Sequence, residues 1–132
     1  MASLRHLSQL GVFPAAWLPM FVGLVRRHAT VLITGGTGVG KTTLLKALLA
    51  QCDVNERIVT VEEVRELGEL GRGDHVSLVT REANVEGVGA ISLTDLVKAT
   101  LRMRPDRVVL GECVARKSST YCARSILVIT VA

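Results

Sequence analysis

TVLITGGTGVGKTTLLKALL, residues Thr30–Leu49, changes character twice within its length. Thr30–Thr34 is a short β-branched and apolar run, which predicts a buried strand. Glycines then stand at 35, 36, 38 and 40, where a chain can turn tightly and bring its backbone close to a ligand. From Lys41 to Gln51 the leucines at 44, 45, 48 and 49 fall at helical spacing, which predicts a helix with one apolar face. Strand, glycine turn and helix in that order make the opening of an α/β unit.

The flanking sequence repeats the alternation. Further strands are predicted at Arg57–Val61 (RIVTV), His75–Thr80 (HVSLVT), Asp106–Leu110 (DRVVL, stopped by Gly111) and Ser125–Val131 (SILVITV). Leu4–Leu10 reads as a short helix, Gly11–Pro14 as a turn, and Ala15–Arg27 as a helix with Trp17, Met20, Phe21 and Leu24 on one face. Gly87–Ala90 reads as a loop, and Ser92 or Thr94 caps a helix running to Met103. Strands alternating with helices predict an α/β fold with a largely parallel sheet. Three segments follow: a helical lead-in at 1–30, a core at 31–112 and a tail at 113–132.

Composition narrows the class. The 132 residues are 48% hydrophobic and 21% charged, which suits one folded domain. With aromatics at 3%, the core is built from aliphatic residues. The net charge of +4 favours anionic ligands, but no aromatics interleave the Lys and Arg residues, so nucleic acid is not expected as a partner. Cys52, Cys113 and Cys122 form no CxxC and read as reduced thiols. Leu7–Val25 lacks charge, but Pro14, Pro19, Gly11 and Gly23 interrupt it, so it predicts short packed helices and not a membrane span.

Gly35-Gly36-Thr37-Gly38-Val39-Gly40-Lys41-Thr42 meets G-x-x-x-x-G-K-[ST] at every required position. Each residue type has a physical task. The glycines let backbone N–H groups turn towards phosphate oxygens. Lys41 supplies positive charge to the β- and γ-phosphates, and the Thr42 hydroxyl is suited to ligate Mg²⁺. The start of the following helix adds the positive end of its dipole. The motif implies binding of ATP or GTP.

Turnover of such a ligand requires acids near the metal and the attacking water. Glu62 and Glu63 follow the RIVTV strand, and Glu112 follows DRVVL after Gly111. Ligands of open parallel sheets bind beyond the carboxyl ends of the strands, so both acid sites are expected at the same edge as the glycine loop. Glu66 and Glu69 read as a solvated face. Arg81, Arg102, Arg104 and Arg107 are candidates for γ-phosphate contact, in cis or across a subunit interface; from spacing alone each reads as a surface residue.

Three segments carry a longer likeness: VLITGGTGVGKTTLLKALL (Val31–Leu49), RIVTVEEVREL (Arg57–Leu67) and VTREANVEGVGAISLTDLVKATLRMRPDRVVLGE (Val79–Glu112). In these the chain resembles the type II/IV secretion-system ATPases, with the branch that assembles tight-adherence (Flp) pili the most similar. The resemblance implies a RecA-like P-loop NTPase core. It further implies a homo-oligomeric, hexameric ring at the cytoplasmic face of the inner membrane. There ATP and Mg²⁺ would drive export or pilus assembly against inner-membrane platform proteins. By the same resemblance Gly35–Thr42, with Thr43 beside it, is the Walker A motif. Glu62 is the water-activating acid, and Glu63 stands where the family usually has Asp. Glu112 is the Walker-B glutamate, sharing the metal with Thr42. Arg81, Arg102 and Arg104 match arginines that approach the phosphates.

The match stops after Glu112. Residues 113–132, CVARKSSTYCARSILVITVA, lack the family's Arg-Gly pair and its histidine-rich segment, and His6, His28 and His75 all lie earlier. A core incomplete at the carboxyl end is therefore expected, from a fragment, a truncated gene or a frame shifted after Glu112. Two other functions fit the motif: a nucleotide-binding subunit without turnover that regulates assembly, and a small P-loop kinase.

Overall fold

The computed structural model describes residues 3–71, 73–113 and 124–130, with backbone alone from 112 onward. The expected polar connector Lys117–Tyr121, Cys122 and the last residue of the SILVITV run lie outside the described residues. Helix α1 spans Leu4–Gln9, capped by the Ser3 hydroxyl, which accepts from the His6 amide. A 3₁₀ turn at Ala15–Trp17 leads into α2 (Leu18–Arg26), with Pro19 in the first turn, where its missing N–H costs nothing. Strand β1 is Val31–Gly35, α3 is Lys41–Leu49, β2 is Ile58–Glu62 and β3 is His75–Val79. Helix α4 (Leu93–Thr100) starts from Ser92 in a reciprocal capping box with Asp95, and β4 (Arg107–Cys113) and β5 (Arg124–Thr130) follow.

The five strands form one sheet in the order β1-β5-β4-β2-β3. β2 pairs parallel with β3 and β4, whereas β5 is antiparallel to both β4 and β1. Four strands therefore share one direction and β5 alone is reversed, wedged between β1 and β4. The largely parallel α/β reading holds.

Helices cover both faces. On one, Leu45 and Leu49 of α3 pack with Ile58, Val109, Leu67 and Leu70. Leu4, Leu7, Phe13 and Val25 extend that layer over Ala47 and Leu48. On the other face, Leu93, Leu96 and Val97 of α4 meet Val61, Val108 and Leu110. β2 is buried along its whole length, as its unbroken apolar run suggests.

Three expectations need correction. The TVLIT strand is an edge strand half covered, with Leu32 59% exposed, because no described helix packs over that side of β1. The packed face of α2 is Leu18, Phe21, Val22 and Val25, while Trp17 and Met20 are about half exposed. Gly111 does not stop β4: the strand runs through it to Cys113, with a register shift against β5 between Leu110 and Cys113.

Candidate functional site

Because β1, β2, β3 and β4 run in the same direction, their carboxyl ends lie along one edge of the sheet. Gly35 at the end of β1, Glu62 at the end of β2 and Gly111-Glu112 at the end of β4 are all there. The glycine loop leaves that edge exposed to solvent and enters α3. Gly38 and Gly40 take left-handed backbone with φ of 78° and 90°, conformations that a side chain would strain. Gly40 is the residue immediately before α3, so the loop closes directly onto a helix amino terminus.

Lys41, the first residue of α3, folds back over the loop. Its Nζ donates to the carbonyls of Gly35 at 3.1 Å and Gly36 at 2.7 Å. The next residue, Thr42, donates its hydroxyl to Glu66 Oε2 at 3.3 Å. An ammonium, two hydroxyls (Thr42 and Thr43), a helix amino terminus and a neighbouring carboxylate form a donor set that suits phosphate oxygens with Mg²⁺.

The acids occupy different environments. Glu62 is 2% exposed, and its Oε1 accepts from the amides of Glu66 at 3.1 Å and Leu67 at 2.9 Å, closing the turn after β2. Its Oε2 is buried with no hydrogen-bond partner among the described residues. The side chain lies over Gly111, where an added Cβ would come 2.6 Å from Glu62 Cγ and 3.2 Å from its Cβ. The residue that looked like an interruption of the strand is the space that Glu62 fills. Gly111→Ala should therefore cost about 1–3 kcal/mol through overpacking, read by urea denaturation. A change below about 0.5 kcal/mol, the range of ordinary surface substitutions, would mean that the Glu62 side chain moves aside freely. Glu63 is exposed, and its carbonyl accepts from the Thr80 hydroxyl at 3.3 Å. Glu112 stands in β4 at the same edge, and its side chain lies outside the described residues.

The arginines do not gather round the loop. Arg81 pairs with Ile91 across an exposed turn, and its guanidinium lies against Gly89. Arg102 and Arg104 follow α4 and precede β4, at the amino-end edge of the sheet, opposite the glycine loop. Arg107 is a structural residue. It is 2% exposed and pairs with Glu56 through Nε and, at 3.0 Å, through Nη2, which also donates to the Val25 carbonyl at 2.8 Å. Glu66, expected to be merely solvated, is the acid in contact with Thr42. Its only sequence signal is its place four residues after Glu62.

The model of the family described as Type II/IV secretion system protein matches residues 1–123. A Mycobacterium tuberculosis (strain H37Rv) protein named for conjugal transfer is 46% identical over 110 residues, 83% of this chain and 31% of that protein. The type IV secretion system protein PtlH of Bordetella pertussis is 40% identical over 97 residues, 74% of this chain and 29% of its own length. Protein VirB11 of Rhizobium radiobacter is 45% identical over 83 residues, 63% of this chain and 24% of that protein. The chain thus spans about a third or less of these relatives. Among solved structures, the VirB11 ATPase of the Brucella suis type IV secretion system, crystallised with sulphate, shares the fold with a TM-score of 0.58 at 24% identity. The match covers 85% of this chain and 38% of that one. With the family model covering nearly all of its length, this chain belongs to the type II/IV secretion system protein family.

Proposed function

We propose that this chain binds Mg²⁺-ATP at Gly35–Thr43 and is the nucleotide-binding part of a secretion motor that couples ATP hydrolysis to protein export or pilus assembly. The observation that carries the reading is the glycine loop closing onto α3, with Lys41 and Thr42 presented together at the carboxyl edge of a largely parallel sheet. In this reading Lys41 neutralises the phosphates and Thr42 holds the metal with Glu112. Glu62 and Glu63 serve the attacking water. The bound metal would supply charge stabilisation at the transferring phosphate.

Arg102 and Arg104, on the far edge, would act on a neighbouring subunit's nucleotide, which suits a hexameric ring. Arg81 would reach the phosphates only after leaving Gly89. Assembly at the inner membrane on platform proteins, and the tight-adherence pilus branch, complete the proposal. Among the described residues no helix is long and apolar enough to cross a membrane.

A second reading, nucleotide binding without turnover, is favoured by Glu62, whose Oε1 is already engaged by two amides. Calorimetric titration with ATP and Mg²⁺ tests the first step, and saturable one-site binding is expected. A folded chain that takes up no ATP would overturn both readings, and binding with no phosphate release by assembled rings would select the second.

A further inference from the structure

Charge is divided along the chain. Residues 1–52 contain no Asp or Glu, while 63–90 carry six of them against three arginines. The fold sends the two stretches to opposite edges of the sheet. The helical lead-in packs through Leu4, Leu7 and Val25 on α3 and against Val31 and Ile33 of the edge strand β1. Arg5, Arg26 and Arg27 are exposed on it and form no ion pair among the described residues. Beside them Leu10, Val12, Trp17 and Met20 are about half exposed or more.

At the other edge, β3 leads into a hairpin closed by the bridge between Arg81 and Ile91. Asn84 fixes its tip, where Oδ1 accepts from the amides of Glu86 at 3.1 Å and Val88 at 2.8 Å. Val85 therefore stands fully exposed on a firmly held turn. Glu82 and Glu86 flank it, both exposed and outside any ion pair among the described residues. Four inter-strand steps of about 4.8 Å hold the two edges roughly 19 Å apart, so the lead-in and the hairpin cannot meet within one chain.

We propose that the basic, apolar lead-in of one copy docks on the acidic hairpin of the next, in a heterologous head-to-tail contact. Opposite charge sets the orientation, and burial of Trp17 and Val85 supplies affinity. Two lead-ins repel each other, as do two hairpins, which disfavours a symmetric dimer through either face. The contact rests on the ring reading above and deepens it by naming the faces that meet. An anionic lipid surface would match the lead-in alone and would leave the acidic hairpin and its bare valine without a role.

Sedimentation velocity of the 132-residue chain without nucleotide provides the test, with circular dichroism to confirm that each variant is folded. Wild type should self-associate, and less so at high salt. Arg26→Glu/Arg27→Glu and Glu82→Lys/Glu86→Lys should each weaken association by about tenfold. An equimolar mixture of the two should restore it, because each reversed face then meets its complement. Trp17→Ala should weaken association at every salt concentration. The inference is overturned if the mixture associates no better than either variant alone. It is equally overturned if the charge variants associate as wild type does, which leaves a ring built through other faces. A monomeric wild type removes both the contact and the ring. Loss of binding to phosphatidylglycerol vesicles by Arg26→Glu/Arg27→Glu, with self-association unchanged, would assign the lead-in to lipid instead. None of these outcomes touches ATP binding, which calorimetry reads separately.

Discussion

Lys41→Ala should weaken Mg²⁺-ATP binding about a hundredfold while leaving the fold intact. The ammonium now donates to the carbonyls of Gly35 and Gly36. Both belong to the loop that would wrap a phosphate, and an anionic phosphate oxygen is the stronger acceptor. Binding therefore transfers the lysine from neutral partners to charged ones. Hydrogen bonds to charged groups contribute about 1.5–3 kcal/mol, and a hundredfold loss corresponds to about 2.7 kcal/mol. Stability should change by less than about 1 kcal/mol, because Lys41 is partly exposed and outside the core clusters. Lys41→Arg should also bind poorly, since a planar guanidinium does not replace a compact charge inside a tight loop. Calorimetry with parallel thermal unfolding separates the two effects. Retention of affinity within threefold would show that Lys41 is not a phosphate ligand.

Arg107→Ala should be the most destabilising of the single changes considered, at about 3–5 kcal/mol by denaturant unfolding. Arg107 joins the end of α2, through the Val25 carbonyl, to Glu56 before β2 and to the start of β4. Its neighbours extend the same lattice. The Arg57 amide donates to Asp106 at 2.7 Å, and the Arg57 guanidinium pairs with Asp74 at 2.7 Å. Truncation would strand the Glu56 carboxylate, whose side chain is only 14% exposed. Replacing both partners, as in Glu56→Leu/Arg107→Met, should recover much of the loss, because no unpaired charge remains.

The pair also sets an acid response. The Arg107 hydrogen bond, followed by the charge of Arg107 and a backbone hydrogen bond at Asp53, holds the Glu56 carboxyl below the usual range against the opposing effect of burial. A carboxyl with a depressed folded-state pKa stabilises fully above its unfolded value, here 4.5, and loses that contribution as pH falls through the lower folded value. Unfolding below about pH 4.5 should therefore be steeper in wild type than in Glu56→Gln.

Much of this was readable along the chain. The glycine loop, the Ser92 cap and the three parallel strands that follow β1 each carry a local signature; β2 and β3 stand within a residue of expectation, and β4 runs three residues past its expected end. What escaped depended on distant partners. Arg107 is one of three arginines in RMRPDR, and Glu56, fifty-one residues earlier, and the Val25 carbonyl distinguish it. The contact of Glu66 with Thr42 spans twenty-four residues and crosses an irregular turn with no period to read. On the short helix α2, apolar residues nearly surround the axis, so the buried face was decided by what α1 and α3 present. The direction of β5 follows from its connection to β4, about ten residues and too short for a parallel crossover, which its own alternation does not encode.

Gly35 and Arg107 face opposite ends of β5, paired with Arg124 and Thr130 respectively. At about 3.4 Å per residue, those positions are roughly 20 Å apart, well past the distance at which substitutions usually interfere. Changes at the phosphate loop and changes in the arginine lattice should then combine as independent increments. Repair of a weakened scaffold would need no retuning of the loop, and drift at one edge would leave the other free to diverge.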